Sequence, residues 1–115
     1  MPIQRAKDYY TGKGKKERFN CGQAILKAFQ ERFEVEEDLV KEFDSYGSGR
    51  APDNLCGAYY AARKILEKHH PDKLDEFESF FIDKAGALKC SDIRNLKNLS
   101  CLGCIEKSAE YLAKL

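Results

Sequence analysis

The residues of this chain with the most evident chemistry are two cysteines near its C-terminal end, in the stretch Ser100-Cys101-Leu102-Gly103-Cys104. Ser100 is a good helix N-cap, because its hydroxyl can accept a hydrogen bond from a free N–H of the first turn. Two thiols three residues apart on that turn lie side by side, and the positive end of the helix dipole favours their thiolate forms. Thiolate is the species that binds metals and attacks disulfides, so the pair predicts metal or redox chemistry.

Three further cysteines lie upstream, at Cys21, Cys56 and Cys90. Asn20, with Gln23 three residues later, has the pattern of a capping box, so Cys21 is expected at the first position of a helix. Cys56 is likewise expected on the first turn of a helix, and Cys90 follows a turn that contains a glycine. Helix starts that converge would form an anion-favouring site lined by thiolates.

Such a site suits an iron–sulfur cluster, a zinc ion or a redox dithiol, whereas the alternative is that each cysteine is a small buried hydrophobe. The preference of the set for helix starts favours a shared site. We therefore expect the sulfurs to gather at one site.

Length and composition limit the class of protein. The chain has 115 residues, which is the size of one domain (1–115), and its 20 Lys and Arg nearly balance its 19 Asp and Glu. A nearly neutral chain argues against nucleic acid as the main partner, and no apolar run approaches the roughly 18 residues of a membrane span. The N-terminal residues lack the apolar core of a signal peptide, so a cytoplasmic location is expected, where thiols stay reduced.

The hydrophobic spacing predicts an all-α bundle of five to six helices. One helix is expected to be capped by Asp53 or Asn54, to run to about His69 and to be stopped by Pro71. His69 and His70 are interpreted as complementing the dipole at the end of this helix rather than as metal ligands. Gly86 is expected to end the next helix.

The arrangement of cysteines resembles the family of redox-active proteins named for its C_GCAxxG_C_C pattern, from Asn20 almost to the end of the chain. The matching blocks are Asn20-Cys21-Gly22-Gln23-Ala24-Ile25, Gly47-Ser48-Gly49, Cys56-Gly57-Ala58-Tyr59-Tyr60-Ala61, Cys90, Cys101-Leu102-Gly103-Cys104-Ile105 and Ser108-Ala109-Glu110. Leu55 and Ala61 stand where the pattern has glycines. The resemblance implies a small helical redox protein, since a related module is associated with an iron–sulfur centre beside haem in split-Soret cytochromes.

The resemblance and the local spacing select different cysteines. By resemblance, the ligands are Cys21, Cys56, Cys90 and Cys101, with Cys104 additional. The resemblance thus implies that each of the four sulfurs lies within roughly 8 Å of another and that the Cys104 sulfur lies at the edge of the site. The leading hypothesis is accordingly an iron–sulfur cluster that transfers electrons with an unidentified partner protein. By spacing, the best pair is Cys101 and Cys104, which predicts metal-free thiol–disulfide exchange in which Cys101 attacks and Cys104 resolves. A zinc-stabilised interaction domain is the third alternative, and the sequence leaves the oligomeric state open.

Overall fold

The computed structural model describes residues 2–12, 19–49, 54–97 and 99–115, and the side chain of Cys101 lies outside this description. The described residues form seven α-helices and two 3₁₀ segments, Phe43–Gly49 and Pro71–Lys73. The helices are α1 (Pro2–Thr11), α2 (Cys21–Ala28), α3 (Glu37–Glu42), α4 (Gly57–His69), α5 (Leu74–Ala85), α6 (Cys90–Leu96) and α7 (Cys101–Ala113).

The all-α class is confirmed, but the predicted count of five to six helices is too low. The difference arises because the segment Cys90–Leu96 forms the complete helix α6. Pairing of β type in the described ranges consists of one isolated antiparallel bridge between Leu55 and Lys89. None of the described helices is long and apolar enough to cross a membrane.

Helix α2 begins as its local sequence predicts. The Asn20 side chain accepts a hydrogen bond from the Gln23 N–H at 2.8 Å, and the Gln23 side chain accepts from the Asn20 N–H at 3.2 Å. This reciprocal pair is a capping box. The same two side chains also reach outwards, Asn20 to the carbonyl of Phe43 at 2.6 Å and Gln23 to that of Val40 at 3.0 Å. The start of α2 is therefore fastened to α3 and to the segment that follows it.

The prediction that Asp53 or Asn54 caps the helix containing Cys56 is wrong for Asn54, and Asp53 lies outside the described residues. Cys56 itself is the N-cap of α4, in extended conformation and with no side-chain capping bond. Its N–H instead donates to the carbonyl of Leu88 at 2.8 Å, next to the Leu55–Lys89 bridge. A pairing between distant parts of the chain thus fixes where α4 begins.

The other predicted helix ends are confirmed. Helix α4 ends at His69 before Pro71, and Gly86 ends α5 in the left-handed conformation, with φ of 88°. Ser100 caps α7 by accepting a hydrogen bond from the Gly103 N–H at 3.0 Å. Aromatic contacts, including a stack of Tyr59 on Phe77 with ring centroids 5.4 Å apart, hold α5 against α4. Phe77 also packs on Tyr111 with ring centroids 5.0 Å apart, so α5 contacts both α4 and α7.

Candidate functional site

Three of the cysteines meet in the core. Cys21 is the first residue of α2, Cys56 caps α4, and Cys104 lies on the first turn of α7. Their exposed fractions are only 9%, 6% and 2%, and all three carry reduced thiols. The thiol of Cys56 is hydrogen-bonded to the thiols of both other residues. The structure thus contains a buried row of sulfurs centred on Cys56, which we call the thiol row.

The contacts within the thiol row change the pKa values of two of its members. The bond to Cys56, followed by burial, raises the pKa of Cys21 well above its ordinary range. The bond to Cys104 and burial raise the pKa of Cys56 to about 12, while its contact with Cys21 acts to lower it. Cys21 and Cys56 are therefore held as neutral thiols, and Cys104 lies at the end of the row.

Two glycines allow the first two sulfurs to approach. A Cβ atom on Gly57 would lie 2.7 Å from the sulfur of Cys21, and one on Gly22 would lie 2.6 Å from Cδ2 of Phe43 and 3.0 Å from the Gly57 carbonyl oxygen. Real Cβ atoms do not approach other atoms so closely, so both positions require glycine as the structure stands. The amide N–H groups of Ala58 and Gly22 also direct hydrogen bonds at the Cys21 sulfur.

An aromatic cluster lies beside the thiol row. Phe43 contacts Gly22, stacks on Tyr60 with centroids 5.5 Å apart, and packs edge-on against Tyr46 at 5.0 Å. Tyr60 also packs edge-on against Tyr46 at 6.0 Å, so it belongs to this cluster. Tyr59 packs on α5 instead. The row therefore lies in an environment of low polarity, where the neutral thiol is favoured over the thiolate.

Cys90 is half-buried rather than buried. Cys56 directly follows Leu55 and Cys90 directly follows Lys89, the two residues of the isolated bridge, so the backbone brings the start of α6 beside the start of α4. The inclusion of the Cys90 side chain in the site stays a prediction.

The structure describes the side chain of only one cysteine of the C-terminal pair, Cys104. The side chain of Cys101 lies outside the described residues, so its predicted place in the site stays a prediction. Cys104, which was expected at the edge of the site, is buried and lies at one end of the thiol row, in contact with Cys56. It is buried because it shares its face of α7 with Ser108 and Leu112, both fully buried. Ser108 was not singled out from the sequence as a site residue, although its position four after Cys104 was a signal.

The described residues do not form a metal site as they stand. Among them, no group of three or more His, Cys, Asp or Glu side chains is placed to hold a metal ion. The hydrogen bonds of the thiol row run in a line, which fits chemistry between pairs of sulfurs. An iron–sulfur cluster held by four thiolates would need Cys101 or Cys90 to join the row.

The fold and the site together define a small helical protein with buried reduced thiols at its helix starts. The model of one family, described as "Putative redox-active protein (C_GCAxxG_C_C)", matches residues 19–115. The chain belongs to this family, and the matched range includes all five cysteines. No curated protein and no solved structure matches the chain.

Proposed function

We propose that this protein carries out reversible two-electron thiol–disulfide chemistry, with Cys56 as the central sulfur. The observation that supports this proposal is the hydrogen bonding of the Cys56 thiol to both Cys21 and Cys104. One sulfur with two neighbours can form a disulfide with either without moving a helix. Family membership supports a redox role in general, and the geometry of the row supports the dithiol form of it.

In the oxidising direction, the acceptor is a disulfide of a small molecule or a partner protein. The Cys104 thiolate attacks one sulfur of this disulfide, its S–S bond breaks, and the electron pair leaves on the departing thiolate. Cys56 then loses its proton to that thiolate and attacks the Cys104 sulfur, which expels the second thiolate of the acceptor. The two cysteines lose two electrons and two protons in total, and the acceptor becomes two thiols.

The test is to equilibrate the anaerobically purified, metal-free protein with glutathione buffers, count thiols, and map disulfides by mass spectrometry. We expect two thiols to disappear and a disulfide that contains Cys56. The Cys56→Ser variant should lose this oxidation, whereas the matched Cys90→Ser variant should keep it. If Cys56→Ser oxidised like the parent protein, through Cys101 and Cys104, the Cys56-centred proposal would be wrong.

An iron–sulfur cluster is a second candidate. The observation that favours it is that Cys21, Cys90 and Cys101 are each the first residue of a helix, while Cys56 caps another. When bound, a cluster would supply one-electron transfer, and the helix starts would offset the charge of its thiolate ligands. Anaerobic protein that is brown, absorbs near roughly 400 nm and contains iron and sulfide supports the cluster. Colourless protein that contains zinc supports a structural metal site, and metal-free protein supports the dithiol function.

The ligand set of that cluster can be tested separately. Serine variants of the four predicted ligands should each lower the metal content sharply, while Cys104→Ser should have less effect. The four are Cys21, Cys56, Cys90 and Cys101. Full metal occupancy in the Cys56 and Cys90 variants would contradict a four-ligand site. A Cys104→Ser loss as large as theirs would assign Cys104 to the ligands.

A further inference from the structure

We propose that Ser108 is a positioning residue of the thiol row, whose hydroxyl donates a hydrogen bond to the Cys104 sulfur when that sulfur becomes a thiolate. The first observation is that Ser108 has no exposed surface, and its Oγ atom has no hydrogen-bond partner among the described residues. A buried hydroxyl without a partner is unfavourable, so its place in the core requires an explanation.

The second observation is the position of Ser108 one turn after Cys104 on α7. Residues four apart are neighbours on a helix surface, and each side chain leans towards the helix N-terminus, over the preceding turn. The Ser108 hydroxyl therefore leans towards Cys104. A rotation about the Cα–Cβ bond is sufficient to redirect it within the same buried face.

The third observation is that Cys104 lies at the end of the thiol row, buried and in contact with Cys56. When a disulfide between these two residues is reduced by attack on Cys56, the negative charge appears on this buried sulfur. A donor such as the Ser108 hydroxyl would stabilise that charge, because hydrogen bonds to charged groups are stronger than those between neutral groups. The orphaned hydroxyl and the terminal sulfur thus complement each other.

This inference rests on the proposed function and concerns one step of it. When an external thiolate attacks Cys56 of a Cys56–Cys104 disulfide, the S–S bond breaks and the electron pair moves to the Cys104 sulfur. The external sulfur is then bonded to Cys56 in a mixed disulfide. The Ser108 hydroxyl stabilises the departing Cys104 thiolate, which makes it a better leaving group.

The experiment measures the rate at which dithiothreitol reduces a disulfide in each of two full-length variants. Both variants carry Cys90→Ser and Cys101→Ser. The first also carries Cys21→Ser, so that only Cys56 and Cys104 can pair. The second carries Cys104→Ser instead, so that only Cys21 and Cys56 can pair, and it is the matched control. Ser108→Ala should slow reduction of the Cys56–Cys104 disulfide by roughly tenfold, the low end for a hydrogen bond to a charged group. The Ser108→Ala substitution should leave the reduction rate of the Cys21–Cys56 disulfide unchanged.

Three results would overturn the inference. Equal slowing of both disulfides would mean that Ser108→Ala acts on packing, and no slowing of either would mean that the hydroxyl does not serve Cys104. Failure of Cys56 and Cys104 to form a disulfide would overturn the inference, whereas the proposed function would still stand if Cys56 paired with Cys21. Ser108→Thr, which keeps the hydroxyl, should retain most of the rate. If the multiple variants fail to fold, the single variants Cys21→Ser and Cys104→Ser, each with and without Ser108→Ala and with disulfides assigned by mass spectrometry, give the same comparison.

Discussion

Replacing Gly57 with alanine should separate the two halves of the thiol row. The new Cβ atom would lie 2.7 Å from the Cys21 sulfur, 3.3 Å from the Gly22 nitrogen and 3.5 Å from the Tyr46 carbonyl oxygen. The sulfur is the closest of these atoms and is the one on a side chain. We therefore expect Cys21 to be displaced, and its contact with Cys56 to be lost, while the contact between Cys56 and Cys104 remains.

The magnitude follows from two opposing terms. Inserting a methyl group into a packed site costs about 1–3 kcal/mol. Replacing glycine by alanine in a helix interior gains at most about 1 kcal/mol, and less at the first position of a helix, where Gly57 lies. The expected net loss in the free energy of unfolding is about 1–2 kcal/mol.

Urea unfolding of the reduced protein measures this loss, and disulfide mapping after oxidation measures the separation of the row. Gly103→Ala is the matched control, since its Cβ would lie 3.2 Å from the flexible end of Leu99, and it should be neutral or stabilising. We expect Gly57→Ala to abolish the Cys21–Cys56 disulfide and to spare that between Cys56 and Cys104. A Gly57→Ala protein as stable as Gly103→Ala, with both disulfides intact, would refute the close approach at Gly57.

Three further predictions concern the row and its supports. Because the pKa of Cys21 is raised and that of Cys56 is about 12, the free energy of unfolding of the reduced protein should fall above about pH 9, where the unfolded thiols ionise and the buried ones do not. The free energy of unfolding should fall by up to about 2.7 kcal/mol per pH unit when both thiols contribute. Cys21→Ala should halve the contribution of these two thiols to this slope. A slope that Cys21→Ala leaves unchanged would contradict the raised pKa of Cys21. The pKa of Cys21 is raised by Cys56 and by burial rather than by Cys104, so the potential of the Cys21–Cys56 disulfide, measured in Cys104→Ser, should still fall by at least about 30 mV per pH unit beyond pH 9. A levelling near about pH 8.5 would indicate ordinary exposed thiols. Asn20→Ala should lower the free energy of unfolding, measured in urea, by about 1–2 kcal/mol through loss of the helix cap. Asn20→Asp should lower it less, because aspartate keeps the oxygen that accepts from Gln23 but lacks the amide group that donates to the Phe43 carbonyl. Equal losses in the two variants would mean that the bond to Phe43 contributes more than the cap.

Features that depend on neighbouring residues were predicted correctly. The Asn20–Gln23 box and the Ser100 cap join atoms three residues apart, and Gly86 ends α5 through its own backbone conformation. Each of these interactions is complete within one turn of helix, so the residue types and their spacing suffice to predict it.

Features that depend on pairing between distant residues were not predicted from the sequence. The start of α4 is fixed by the hydrogen bond from the Cys56 N–H to the Leu88 carbonyl. These two residues are far apart along the chain, and no local sequence pattern indicates that they pair. The burial of Cys104 depends in the same way on which face of α7 packs inwards. Serine is usually exposed, so Ser108 gave no indication that this face is buried.

The choice between the two disulfides available to Cys56 is not made by chain entropy. A bond from Cys56 to Cys21 closes a loop of about 35 residues and one to Cys104 closes a loop of about 48. In the chain-entropy model, each destabilises the unfolded state by about 4 kcal/mol, a difference of only a few tenths between them. The choice therefore falls to the site itself. The pKa of Cys21 is raised even more strongly than that of Cys56, by the bond to Cys56 and by burial. Because the thiolate is the attacking species, Cys21 is the less readily activated of these two thiols. We therefore expect the Cys56–Cys104 disulfide as the first product, with Cys21 as the thiol that can later displace Cys104 from Cys56.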